Sequence, residues 1–309
     1  MKQLKRILPI LLVIAAMVVT GCGSSEISSG KVYCLLHDNA DTGFQGELKR
    51  AVVNRLQAAG IETEVEDAKG DANLQHDQIN QAIDAKASAI VLAAVDGEAI
   101  IPEIEKANAA GIPIIRINRD ISGGKFFSSV SDDREAGRMQ GEFMAKNLPQ
   151  GAKIVYMNGE MTQSGAQKRW EGFKEACLDK RPDIQLLASA DCSWSEAVAL
   201  RQMSLWLKLF PQIDGVIGAN DDMALGAIRV LRDAGRLDGV LVSGVDATDA
   251  ALQAVSDGRM SQTVKQDAEG QGEGVFALIQ ALRQGNKQPE DVLVPFVEIT
   301  KENIGKFLH

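Results

Sequence analysis

Gly215-Val216-Ile217-Gly218-Ala219-Asn220-Asp221-Asp222-Met223-Ala224-Leu225-Gly226-Ala227 reads as a short apolar strand, a polar junction and the start of a helix. The helix runs over 221–234, and a second apolar run, Val240-Leu241-Val242-Ser243-Gly244, follows it. Strands written as continuous Val/Ile/Leu runs belong to sheets buried on both faces, which means parallel sheets covered by helices.

The same alternation extends back to Lys31. A first series places strands over 32–36, 61–66, 89–93 and 112–117, with helices over 43–59, 71–85 and 97–110 between them. In the first helix Phe44, Leu48, Val52, Leu56 and Ala59 form one stripe, and Gly60 allows the turn that ends it. In the second, Leu74, Ile79, Ala82 and Ile83 are expected to face inward. A second series follows Val130, with helices over 132–147, 164–180 and 195–209 and strands over 152–157 and 184–188, before the opening stretch. Two series of similar order and length predict an α/β protein of two doubly wound parallel-sheet lobes.

The chain has 309 residues, 45% hydrophobic and 24% charged, values of an ordinary globular protein. A net charge of −9 argues against nucleic acid as a partner, since phosphate binding needs a basic face. The N-terminus has a basic start (Lys2, Lys5, Arg6) and then an apolar run from Ile7 to Val19, a pattern expected of a secretion signal. That run ends in Val19-Thr20-Gly21-Cys22, which resembles a bacterial lipobox, with Val19 where Leu is usual. Cys22 is then the first mature residue and carries a lipid, and the small polar residues 23–30 form a flexible tether.

The other cysteines, Cys34, Cys177 and Cys192, fit no metal spacing, and an odd number rules out a full disulfide framework. A single Cys177–Cys192 bridge is left open. His37, His76 and His309 are dispersed, so neither a metal nor another cofactor is expected. No phosphate-binding loop or nucleophile elbow occurs, and no catalytic residue is assigned. Gly270-Gln271-Gly272-Glu273-Gly274 is read as a site of close helix packing rather than as a dinucleotide loop.

In parallel sheets ligands bind beyond the C-terminal ends of the strands. Polar residues collect there: His37-Asp38, Asn118-Arg119-Asp120, Asp191 to Trp194, Asn220-Asp221-Asp222 and Asp246. Asp38, Asn220 and Asp246 each have an alternative role as the cap of the next helix.

The opening stretch, followed by Ser243-Gly244-Val245-Asp246-Ala247-Thr248, resembles the periplasmic sugar-binding proteins of the ribose and galactose type. Arg169-Trp170-Glu171-Gly172-Phe173 and Ser131-Asp132-Asp133 fit the same family, and the likeness spans Lys31 to about Leu308. It implies the type I periplasmic binding protein fold, with lobes joined by three crossing segments near Ser131, Gln266 and Val294-Pro295. The lobes are then 31–131 with 267–294, and 132–266 with 295–309, after a signal peptide over 1–21 and the tether over 22–30.

Carried over position by position, the resemblance implies a set of ligand contacts. Phe44 and Trp194 stack on opposite faces of a sugar ring, whose C–H patches pair with aromatic faces. Arg119 and Arg169 donate to hydroxyl and ring oxygens. Asp38, Asn118, Asn220, Asp246 and Gln266 bond to hydroxyls, with Gln163 and Thr42 as looser matches. Gln45 stands where the ribose type often has a second aromatic, and Asn118 matches the hexose type. The resemblance therefore implies an extracytoplasmic, lipid-anchored receptor that closes on a monosaccharide or cyclitol, a hexopyranose or inositol in preference to ribose. Its partner would be an ABC permease. A sensory receptor that signals to a kinase or chemoreceptor is the alternative.

Cys22→Ser is expected to move the protein from the membrane fraction to the soluble fraction, because the lipid is the only anchor in this reading. Identical fractionation of the two forms would refute the anchor.

Overall fold

The computed structural model describes residues 30–38, 41 and 43–308. The expected signal peptide, Cys22 and Thr42 lie outside the described residues. In chain order the first lobe comprises β1 (Val32–Leu36), α1 (Gly43–Ala58), β2 (Thr63–Asp67), α2 (Ala72–Asp84), β3 (Ala89–Leu92), α3 (Ile101–Ala109), β4 (Ile114–Ile117) and β5 (Phe127–Val130). The second comprises α4 (Asp133–Asn147), β6 (Lys153–Asn158), α5 (Ser164–Phe173), β7 (Gln185–Asp191), α6 (Glu196–Leu209), β8 (Gly215–Gly218), α7 (Asp221–Asp233), β9 (Leu241–Asp246), α8 (Asp249–Ser256) and β10 (Gln262–Lys265). Then α9 (Ala268–Arg283) and β11 (Val292–Leu293) return to the first lobe, and β12 (Val297–Thr300) to the second. No helix among the described residues is long and apolar enough to cross a membrane.

Each lobe is built on a six-stranded sheet, ordered β11-β5-β4-β3-β1-β2 in one and β12-β10-β9-β8-β6-β7 in the other. All neighbours are parallel except β12, which runs antiparallel to β10. The strand order reverses beside β1 in one sheet and beside β6 in the other. Successive crossovers leave toward opposite faces at such points and open a crevice at the strand ends. The chain passes between the sheets three times, through Ser131, Gln266 and Pro295.

The structure alters several element readings. Leu74 is exposed on α2, and Gln75 is buried in its place. The Gln75 amide donates to Ala93 O at 2.9 Å and accepts from Val95 N at 2.8 Å. It thereby satisfies backbone groups of the loop after β3, which would otherwise be buried unpaired. The helix expected from residue 97 begins at Ile101, because the Asp96 carboxylate accepts from the Glu98 and Ala99 amides and holds a turn there. Beyond Phe173 the helix expected to reach residue 180 continues as one π-helical turn, Lys174–Leu178. The described cysteines Cys34, Cys177 and Cys192 are buried and free, so the bridge left open does not form. The 270–274 glycines pack closely: a Cβ on Gly272 would lie 2.9 Å from the α1 backbone at Ala51.

Helices α4 and α5 are pressed together at glycines. A Cβ on Gly137 would fall 1.9 Å from Arg169 O, and one on Gly172 would fall 2.1 Å from Arg134 O. Backbone cannot yield there, so the two glycines set the helix separation and bring Arg169 to the start of α4. Gly172→Ala should therefore lower stability by about 1–3 kcal/mol through overpacking, read as an earlier urea midpoint. Gly305→Ala, with open space around it, should stay within about 0.5 kcal/mol.

Candidate binding cleft

Strand ends of both sheets line one cavity of about 320 Å³, a size typical of small-molecule sites. Every ligand residue singled out from the sequence that is among the described residues lies on its wall: Asp38, Phe44, Gln45, Asn118 and Arg119 from the first lobe, Gln163, Arg169, Trp194, Asn220 and Asp246 from the second, and Gln266 from a crossing segment.

Phe44 serves two roles. It is 6% exposed and packs with Leu48 and Val52 in the first lobe's core, while its remaining surface meets the cavity. Beside it Gln45 donates from Nε2 to Asn118 Oδ1 at 3.2 Å. Asn118 has φ +58°, a left-handed conformation that Asn tolerates better than most residues. This turn directs Arg119 into the cleft, where its Nη1 reaches Val95 O at 3.4 Å. Burial pulls the Arg119 guanidinium down to about 10, with Glu160 and Asp38 pulling it back up.

Trp194 sits in a strained turn. Ser193 and Trp194 have φ of +51° and +56° in succession, each costing about 1–2 kcal/mol. Asp191 holds the turn by accepting from the Ser193 amide at 2.8 Å. The indole N–H donates to Gln163 Oε1 at 2.8 Å. The indole lies against Gly159, where a Cβ would come within 2.1 Å of the ring. Asn220 donates to Trp194 O at 3.3 Å while its Oδ1 caps α7 by accepting from Met223 N at 3.0 Å. Asn220 is thus both a cap and a wall residue, whereas Asp246 caps nothing, and Thr248 caps α8.

Arg169 is 5% exposed and held on several sides. Its Nε donates to Asp133 Oδ1 at 2.8 Å, Nη1 to Ala219 O at 2.7 Å and Nη2 to Gln266 Oε1 at 2.9 Å. Asp246 Oδ1 lies 3.9 Å from Nη1. Burial pushes Asp246 well above the usual carboxylate range; Arg169 opposes that push, and Asp221, Asp222 and Glu47 add to it. Burial and the nearby charge of Arg119 depress His37 to about 3, so its imidazole is neutral at physiological pH.

The lobes also touch across the cleft. The Asp120 amide donates to Ser164 Oγ at 3.3 Å, and its carboxylate pairs with Lys168 of the second lobe and Arg116 of its own.

A family model for the periplasmic binding protein domain matches residues 32–287. The chain belongs to the periplasmic binding protein family. Among its relatives, this binding protein is 32% identical to a putative rhizopine-binding protein of Rhizobium meliloti, over 80% of this chain and 82% of that one. It is 30% identical to a xylitol-binding protein of Mycolicibacterium smegmatis, over 93% of this chain and 82% of that one. A solved ABC transporter solute binding protein from Bacillus halodurans C-125, with bound myo-inositol, superposes with a TM-score of 0.83 at 29% identity, covering 92% of this chain and 98% of that one. The family comprises substrate-binding transport proteins rather than enzymes, and periplasmic binding proteins of import systems are extracytoplasmic.

The binding protein's cavity also includes His37, Asp133, Glu160 and Asp222, which the sequence reading had not assigned to a ligand. Glu160 was within reach of that reading. It follows the end of β6, the one strand end of the second series to which the rule for parallel sheets had not been applied. Asp133→Ala would leave the buried Arg169 charge without its hydrogen-bonded carboxylate, with Asp246 remaining at 3.9 Å, which should cost about 3–5 kcal/mol in urea unfolding. A loss below about 1 kcal/mol would mean that the pair is not structural.

Proposed function

We propose that this protein is the solute receptor of an ABC import system and closes on a hexopyranose or a cyclitol in preference to ribose. The observation that carries the reading is one chamber of about 320 Å³ with Phe44 from one lobe and Trp194 from the other on its wall. Aromatic faces shed water against ring C–H patches, and an indole covers more of a ring than a phenyl does. Gln45 adds an amide donor and acceptor where a second phenyl would close the space, which favours a ring with one more hydroxyl. The bound myo-inositol in the Bacillus halodurans neighbour supports the cyclitol arm of the proposal.

Closure follows from the same geometry. A ligand that touches both lobes binds the closed form better and shifts the population toward it. The Asp120–Lys168 pair and the Asp120–Ser164 hydrogen bond form only when the lobes meet. The lobes would bend about Ser131, Gln266 and Val294, and the closed form would dock on the permease while the Cys22 lipid keeps the receptor near the membrane.

Titration calorimetry with myo-inositol, glucose, galactose, xylose and ribose, on protein starting after Cys22, tests the preference. A buried polar group left unpaired costs about 1–3 kcal/mol, so the hexopyranoses or inositol, which carry more hydroxyls than ribose or xylose, should exceed ribose by roughly tenfold or more. Trp194→Ala should weaken every ligand that binds. Tightest binding by ribose, or an unaffected Trp194→Ala protein, would overturn the reading.

A further inference from the structure

The wall of the cavity is unevenly charged. Arg169 is committed to Asp133, Ala219 O and Gln266. Arg119 is then the remaining cation on a wall that also carries the carboxylates Asp38, Glu160 and Asp222, of which Glu160 and Asp38 act on it. None of the three has an ion-pair partner within 4 Å among the described residues. Glu160 accepts a hydrogen bond from the neutral Gln163 amide, which does not offset its charge. His37 adds no positive charge either: it is 4% exposed, burial keeps it neutral, and its Nδ1 is buried without a hydrogen-bond partner.

A second cavity of about 770 Å³ adjoins the first between the lobes and shares Asp38, Arg119 and Glu160 with it. Its wall adds Asp96 and Glu98 but no further Lys or Arg. The wall also holds Asp120, whose charge is already met by Arg116 and Lys168. The approach to the ring chamber is therefore acidic as well.

We propose that the ligand is a cationic polyol, a sugar or cyclitol in which an amino group replaces a hydroxyl, with its ammonium facing Asp38, Glu160 and Asp222. This rests on the polyol reading above and narrows it. A neutral polyol can satisfy the carboxylates as hydrogen-bond acceptors but leaves their excess charge in a partly dehydrated chamber. An ammonium supplies three donors and the missing positive charge at once. Burial already pushes Asp222 above the usual carboxylate range, and a bound cation would draw it back. The acidic approach would concentrate cations at the cleft and speed their entry, an effect that salt screens.

Calorimetry on the full chain in detergent, with matched pairs, tests the proposal: glucose against glucosamine, galactose against galactosamine, and myo-inositol against an amino-deoxy-inositol. The amino member of at least one pair should bind about tenfold tighter than its parent or more. That ratio should shrink at high salt and shrink again in Asp222→Asn and Glu160→Gln. Reading the ratio on one preparation separates a charge effect from partial misfolding, and a thermal melt of each variant checks the fold directly. Parents that bind as well as or better than their amino partners would overturn the cationic ligand and leave the polyol reading standing. A ratio insensitive to salt and to both variants would overturn the carboxylate assignment. Failure of every compound to bind would sink the polyol reading itself, and this inference with it.

Discussion

The second lobe is organised around one buried charge. Arg169 projects from α5 into a space where the start of α4, the end of β8 and a crossing segment converge, and it bonds to each. Its guanidinium also lies 5.5 Å from the Trp194 ring and 5.9 Å from Phe296, close enough for cation–π attraction. A charge that deep is tolerable only when it is met on several sides, so the surrounding pieces cannot move independently. The Gly137 and Gly172 contacts that press α4 against α5 follow from this. They bring the guanidinium to Asp133, and a larger residue at either position would drive the helices apart.

The fold class was legible because buried parallel strands and amphipathic helices leave periodic traces. The first-series strands and the α1 stripe of Phe44, Leu48, Val52 and Leu56 needed nothing beyond that periodicity. Elements lay beyond reach where local chemistry overrides pattern. Phe127-Ser128-Ser129-Val130 and Gln262-Thr263-Val264-Lys265 are strands that bury polar residues, Ser128 and Ser129 in one and Gln262 and Thr263 in the other. Their hydroxyls and amides find partners only in the assembled lobes, as Ser129 Oγ does by donating to Gln271 O at 2.8 Å. Gln75 misled the α2 reading for the same reason, since its acceptor and donor sit on a loop about twenty residues away in sequence.

The wall of the cleft was more legible than its chemistry. Strand ends and family likeness together pick out residues that meet in one cavity, but they cannot say which polar groups are already taken. Arg169, Gln163 and Asn220 each bond to protein as well as facing the cavity. Charge balance is likewise a property of the assembled wall. Asp133 at the start of α4 and Asp222 at the start of α7 both line the cavity, yet one meets a guanidinium and the other does not.

Asn118, Arg119 and Asp120 are consecutive, and their contacts point in different directions. Asn118 accepts from Gln45, Arg119 enters the ligand chamber, and Asp120 bonds to the opposite lobe. A rigid left-handed residue at the head of this tripeptide leaves little slack between the last two. Whatever repositions Arg119 also displaces Asp120, so the cavity wall and the contact between the lobes share the same few atoms. The loop ties the wall of the cavity to the seam between the lobes.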